Sequence, residues 1–242
     1  MAQGEHIAFL SVNTRGTGVY NIETGYKPTG AAVEIFEECL CDIDAWTELA
    51  LSKGFTKIIL EGHSFGTNKI QYYIQKGIYK THVVALILFG FTDSYGGQIA
   101  YLKKTNRKNE NILQEAQALM IQNKPLYLLS DLHINWGELP QTAQSYLNFM
   151  SPDSVLSDVL PIGQDKPLTN FRSISLPILG VVADHNECTV IPPRDAVDLL
   201  NHENHMAQCH MIPDCTHSYT GREKELISRI RQFLTKIHLD IR

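Results

Sequence analysis

The sequence has no excess of positive charge, no paired cysteine spacing and no apolar run long enough to span a bilayer. Each absence removes a class of function. A formal net charge of −5 gives no electrostatic ground for binding nucleic acid or an anionic membrane. The five cysteines (Cys39, Cys41, Cys188, Cys209 and Cys215) are an odd number without C-x-x-C spacing. That argues against a disulfide scaffold or a zinc ribbon and suits a reducing cytosol. The first residues lack the basic, apolar and small-residue succession of a secretory signal. The expectation is a soluble, cytoplasmic protein with no nucleic-acid or membrane partner. Hydrophobic content of 43% and charged content of 19% are ordinary for a globular core, and 242 residues suit one domain or one domain with a large insertion.

What is present begins with Ile58-Ile59-Leu60-Glu61-Gly62-His63-Ser64-Phe65-Gly66. A short apolar run reads as a buried strand. It ends in Gly62-x-Ser64-x-Gly66, and a helix-compatible segment follows at 68–75. This is the strand–turn–helix setting of a nucleophile elbow, in which a serine at the apex of a sharp turn is lifted above the sheet edge. A side chain at 62 or 66 is expected to collide with the adjoining strand or helix. The Phe65 N–H, at a helix start, is expected to face a developing oxyanion.

A serine nucleophile needs a base, and the base needs an orienting acid. A second apolar run, 176–182, breaks into Ala183-Asp184-His185-Asn186-Glu187. A third, 207–213, ends in Asp214-Cys215-Thr216-His217, followed by a helix over 223–237. Asp184 and His217 thus fall just past strand ends, where catalytic residues of open α/β sheets sit. Ser64, Asp184, His217 and the Phe65 N–H are the candidate site; no metal or other cofactor is called for. His202, His205 and His210 straddle a loop and a strand and read poorly as metal ligands. His63 is expected to pack beside the serine.

From about Ile7 to the C-terminus the chain resembles the α/β-hydrolase superfamily, especially its serine esterase, lipase and serine-aminopeptidase-like branches. The elbow carries the resemblance most specifically. The resemblance implies an α/β fold with a mostly parallel sheet and helices on both faces. It also implies a serine hydrolase that cleaves a carboxylic ester, or an amide or thioester, of a small acyl substrate through a Ser-His-Asp triad. An acyltransferase or thioesterase with the same triad, or a non-catalytic binding protein on this scaffold, are the alternatives. The family loop places its acid about two residues beyond Asp184, where Asn186 stands. Glu187, and more distantly Asp93, are other carboxylates for the role.

Elsewhere the chain follows the β–α rhythm. Residues 6–12 read as a strand leading into Asn13-Thr14-Arg15-Gly16-Thr17-Gly18, similar to the family's D-x-R-G-x-G loop and too incomplete for a dinucleotide fingerprint. Residues 31–52 place Ile35, Ile43, Trp46 and Leu49 on one helical face. The continuous run 83–89 suits a strand buried on both faces. The rhythm stops over 98–172, expected to be a helical cap insertion, with Lys103, Lys104, Arg107 and Lys108 on a solvated face. Helices are expected at 194–201 and 223–237. The family's first three strands have no counterpart here, so the 6–12 strand corresponds to its fourth. Either that strand pairs with the elbow strand or a gap one strand wide remains. Both leave an open sheet edge, a route to a homodimer.

Overall fold

A computed structural model of the protein describes residues 7–18, 20–21, 27–185 and 187–237. Two short segments, β1 (Tyr20–Asn21) and β2 (Lys27–Pro28), pair antiparallel by themselves. Helix α1 (Cys39–Ser52) leads to β3 (Ile58–His63), α2 (Phe65–Lys76) and β4 (Val83–Phe89). A helical stretch follows: α3 (Ser94–Lys104), α4 (Asn109–Ile121), α5 (Ala143–Met150) and α6 (Thr169–Arg172). The chain ends in β5 (Ile178–His185), α7 (Pro193–Glu203), β6 (Ala207–Thr216) and α8 (Glu223–Lys236). Among the described residues no helix is long and apolar enough to cross a membrane.

The main sheet is parallel, in the order β3-β4-β5-β6. Its central strands are buried on both faces, and alternation divides their side chains between two cores. Leu86, Leu88, Ile178 and Val182 meet Ile43 of α1, Ile70 and Tyr73 of α2, and Ala196 and Leu200 of α7. Ala85, Ile87, Phe89, Leu179 and Val181 meet Ile230, Phe233 and Leu234 of α8. Ile230, Phe233 and Leu234 recur at helical spacing and form the buried stripe of α8. The helical stretch between β4 and β5 contributes no strand to the sheet and packs a third core around Leu102, Leu129, Tyr146 and Phe149. Phe36 and Tyr72 tie that core to the sheet-bearing part of the chain.

Three expectations are corrected. Residues 7–12 form no strand, and among the described residues they make no backbone hydrogen bond to β3; His6 lies outside those residues. Among the described residues a gap, rather than a pairing, therefore adjoins the outer edge of β3. The first helix begins at Cys39, because 3-10 turns at Gly30–Ala32 and Phe36–Glu38 precede it and the Phe36 N–H donates to Asn148 Oδ1. Trp46 and Leu49 stay exposed on it, facing the gap. Finally, β5 runs on through Asp184 and His185, which read as loop in the sequence.

Candidate active site

Ser64 occupies the turn between β3 and α2 with φ 55° and ψ −126°, a backbone conformation unusual for a residue with a side chain. The surroundings hold it there. Its N–H donates to Phe89 O at 2.8 Å, and its carbonyl accepts from the Thr67 N–H and hydroxyl at 2.9 and 2.7 Å. Gly62 is required by contact: a Cβ there would lie 2.5 Å from Gly66 O. Gly66 is not; a Cβ at 66 would meet no atom within 4 Å, so the collision expected there is absent. That residue borders open cavity instead. Phe65 is the first residue of α2, so its N–H has no acceptor within the helix. Lys69, one turn further, lies 5.0 Å from the centre of the Phe65 ring. The buried Lys69 ammonium is also 2.5 Å from Glu34 Oε1 and 3.1 Å from Thr14 Oγ1.

His217 follows the end of β6. Its Nδ1 lies 2.6 Å from Glu187 Oε2, and the Glu187 side chain is fully buried. The other carboxylate oxygen, Oε1, accepts the Ala183 N–H at 2.7 Å. A carboxylate at Nδ1 makes that nitrogen the protonated one and leaves Nε2 with its lone pair. The His63 ring stacks on the His217 ring at 4.6 Å, and its Nε2–H donates to His217 O at 2.9 Å. His63 therefore packs on the histidine of the site. Ser64 and His217 border one cavity of about 1870 Å³, also lined by Trp136, Leu139, Phe149 and Met150 from the helical stretch. Among the described residues no hydrogen bond joins the Ser64 hydroxyl to the His217 ring.

Asp184 is not the carboxylate that meets His217. Both its oxygens accept backbone N–H groups, from Asp214 at 2.8 Å and Cys215 at 2.9 Å. The physical reason is the length of β5. A register irregularity after Ala183 carries the strand through His185, so Asp184 faces β6 and Glu187 is the acid beyond the strand end. Asn186 lies outside the described residues. Asp93 serves elsewhere: it caps α3 through the Gly96 N–H and accepts from the Gly163 N–H and Gln164 Nε2.

The hydrogen bond from the Cys215 N–H holds the Asp184 carboxyl below the usual carboxylate range, burial opposing it. A folded-state pKa below the unfolded one contributes stability above the unfolded value, lost as pH falls through the folded value. Asp184→Asn should therefore melt below the wild type at pH 7, and the two melting curves should converge as acid protonates the wild-type carboxyl. A gap that persists unchanged at low pH would contradict this account.

Gly90 is the residue that motif reading missed. It has φ 54°, and a Cβ would lie 2.5 Å from His217 Cε1 and 2.8 Å from Nδ1. Its N–H is held by Tyr219 Oη at 2.8 Å and Val181 O at 2.8 Å. A glycine directly after a buried strand was the available signal. Gly90→Ala should displace the His217 ring and lower catalytic turnover at least about 100-fold, in line with the cost of an ångström-scale misplacement. Steady-state kinetics on a small ester checks it; a fully active variant would show the ring free to move aside.

Among the described residues, Asp184, His185 and Asp214 are a group able to bring three potential metal-ligating atoms within 4.8 Å of one another. The Asp184 oxygens are already engaged by backbone N–H groups, and Asp214 pairs with Arg222. That chemistry is of strand pairing and surface charge.

No protein-family model matches the sequence, and no curated protein matches it. Solved structures do. A structure reported with carboxylesterases of the thaumarchaeon Nitrososphaera gargenis is 12% identical, with a TM-score of 0.50 over 86% of this chain and 75% of that one. The putative non-heme bromoperoxidase BpoC of Mycobacterium tuberculosis is 13% identical, with a TM-score of 0.48 over 84% and 75%. The carboxylesterase CesB of Bacillus subtilis is 17% identical, with a TM-score of 0.46 over 85% and 68%. With a parallel sheet that presents a strained serine between strand and helix and a histidine beyond its last strand, this chain has the α/β-hydrolase fold.

Proposed function

We propose that the protein is a serine hydrolase of carboxylic esters, with Ser64 as nucleophile, His217 as general base and acid, and Glu187 as the orienting acid. The observation that carries this reading is the 2.6 Å contact of buried Glu187 with His217 Nδ1, in a cavity shared with the strained Ser64. The Ser64 hydroxyl attacks the ester carbonyl carbon while His217 Nε2 takes its proton. The tetrahedral oxyanion forms against the Phe65 N–H. Its collapse breaks the carbon–oxygen bond to the alcohol, which leaves with the proton from Nε2, and an acyl group stays on Ser64. Water, deprotonated by the same nitrogen, attacks that acyl group and restores the serine. Throughout, Glu187 keeps the ring in one tautomer and stabilises the imidazolium by charge. The cycle needs no metal or organic cofactor.

The helical stretch, nearly coincident with 98–172, acts as a cap in this reading. Its Trp136, Leu139, Phe149 and Met150 form the wall against which an acyl group packs. The test is labelling by a fluorophosphonate probe, with mass spectrometry of the modified peptide. Stoichiometric modification of Ser64 supports the reading. An unlabelled, folded protein, or a label elsewhere, overturns it.

A further inference from the structure

The loop that carries His217 has little to hold it. Thr216, Ser218, Thr220 and Gly221 are exposed, and between Cys215 and Ile230 Tyr219 is the only buried residue. Tyr219 takes φ 56°, a conformation that a bulky residue resists. Its N–H donates to Thr216 O at 2.8 Å, and its carbonyl accepts the Arg222 N–H at 3.0 Å. Its ring meets Phe89 of β4 and His63 of β3 edge-on, with centres 6.1 Å away in each case.

The Tyr219 hydroxyl reaches the two central strands. It donates to Val181 O at 2.7 Å and accepts the Gly90 N–H at 2.8 Å. Burial, with the charge of Glu187 adding to it, raises the phenol well above its ordinary value and keeps it protonated as a donor. Both contacts lead to His217. Gly90 is the residue the imidazole rests on, with no room for a Cβ. Val181 stands two residues before Ala183, whose N–H holds Glu187 Oε1.

Packing alone does not call for this hydroxyl, since phenylalanine has the same ring. Nor does the backbone need it, because the Gly90 N–H also donates to Val181 O at 2.8 Å. What the hydroxyl adds is a link from the His217 loop to the end of β4 and to β5.

We propose that Tyr219 is a positioning residue for the base: its hydroxyl ties the loop to Gly90 and Val181 and so sets where the His217 ring stands relative to Glu187 and Ser64. The inference rests on the triad reading of Ser64, His217 and Glu187.

Tyr219→Phe keeps the ring and removes the tether. With the fluorophosphonate probe, Ser64 in the variant should reach wild-type stoichiometry at a rate at least about tenfold lower, because a misplaced ring slows every site and removes none. On a small ester, kcat should fall by a similar factor with KM little changed. Tyr219→4-aminophenylalanine, which returns a donor to Val181 O, should recover most of the rate. The His217 Nδ1 proton, far downfield in NMR spectra while it is shared with Glu187, should broaden or move upfield in the phenylalanine variant. Wild-type labelling rate, kcat and resonance in that variant overturn the proposal. Lower stoichiometry at an unchanged rate assigns Tyr219 to stability alone and also overturns it. A wild-type chain that does not label at Ser64 overturns the triad reading instead; the resonance, which needs no turnover, then still decides the tether.

Discussion

On the proposed reading, Ser64→Ala should lower kcat for a small ester by about 10⁶-fold and abolish fluorophosphonate labelling, while substrate still binds. The magnitude follows from triads in which loss of the nucleophile alone removes nearly all of the group's contribution. The residual rate over water reports the oxyanion donor and the binding wall, which the substitution leaves in place. Alanine also relieves little backbone strain, because it keeps a Cβ at φ 55°. The variant should therefore fold with melting behaviour close to wild type. Activity above a few per cent in a preparation free of other esterases would show that Ser64 is not the nucleophile.

On the same reading, Glu187→Gln should lower kcat by about 10⁴-fold, and Asp184→Asn should leave it near wild type. The comparison separates two carboxylates three positions apart in the chain. A glutamine at 187 can offer its amide to His217 Nδ1 in the wrong sense and so fix the wrong tautomer, leaving Nε2 protonated and unable to accept from the serine. It also removes the charge that stabilises the imidazolium. Asp184 keeps its oxygens on the Asp214 and Cys215 N–H groups and does not reach that ring nitrogen. The kinetics should therefore show a loss in kcat at 187 with KM little changed. A large loss at 184 with none at 187 would return the orienting role to the aspartate.

The contrast shows which parts of the molecule can be read from residue order. The elbow was legible because hydrophobic period changes there from strand to helix, with Gly62 closing a contact that tolerates no Cβ. The central strands were legible because burial on both faces leaves an unbroken apolar run, as in β4. His217 was legible as the polar residue between the last strand and the last helix. The acid was not, because the extent of β5 is fixed by backbone pairing with β6, and backbone pairing continues through Asp184 and His185 whatever their polarity. Residues 7–12 look like a strand by the same apolar content as β4. A strand also needs a neighbour that offers a ladder, and composition carries no record of that neighbour. The ion pair of Glu34 and Lys69 was invisible for a related reason, since 35 positions separate the partners and neither lies in a motif.

The twisted backbone at Ser64 also limits which nucleophiles this scaffold can exchange. At φ 55° a single unbranched Cβ substituent is tolerated, whereas a β-branched side chain crowds its own carbonyl. Cysteine shares serine's unbranched shape, so an oxygen-to-sulfur change needs only one substitution and no rearrangement of the turn. Threonine, chemically the nearer relative of serine, is the replacement that the backbone resists. Divergence within this architecture is thereby steered by torsion: a thiol inherits the position at less conformational cost than a secondary alcohol.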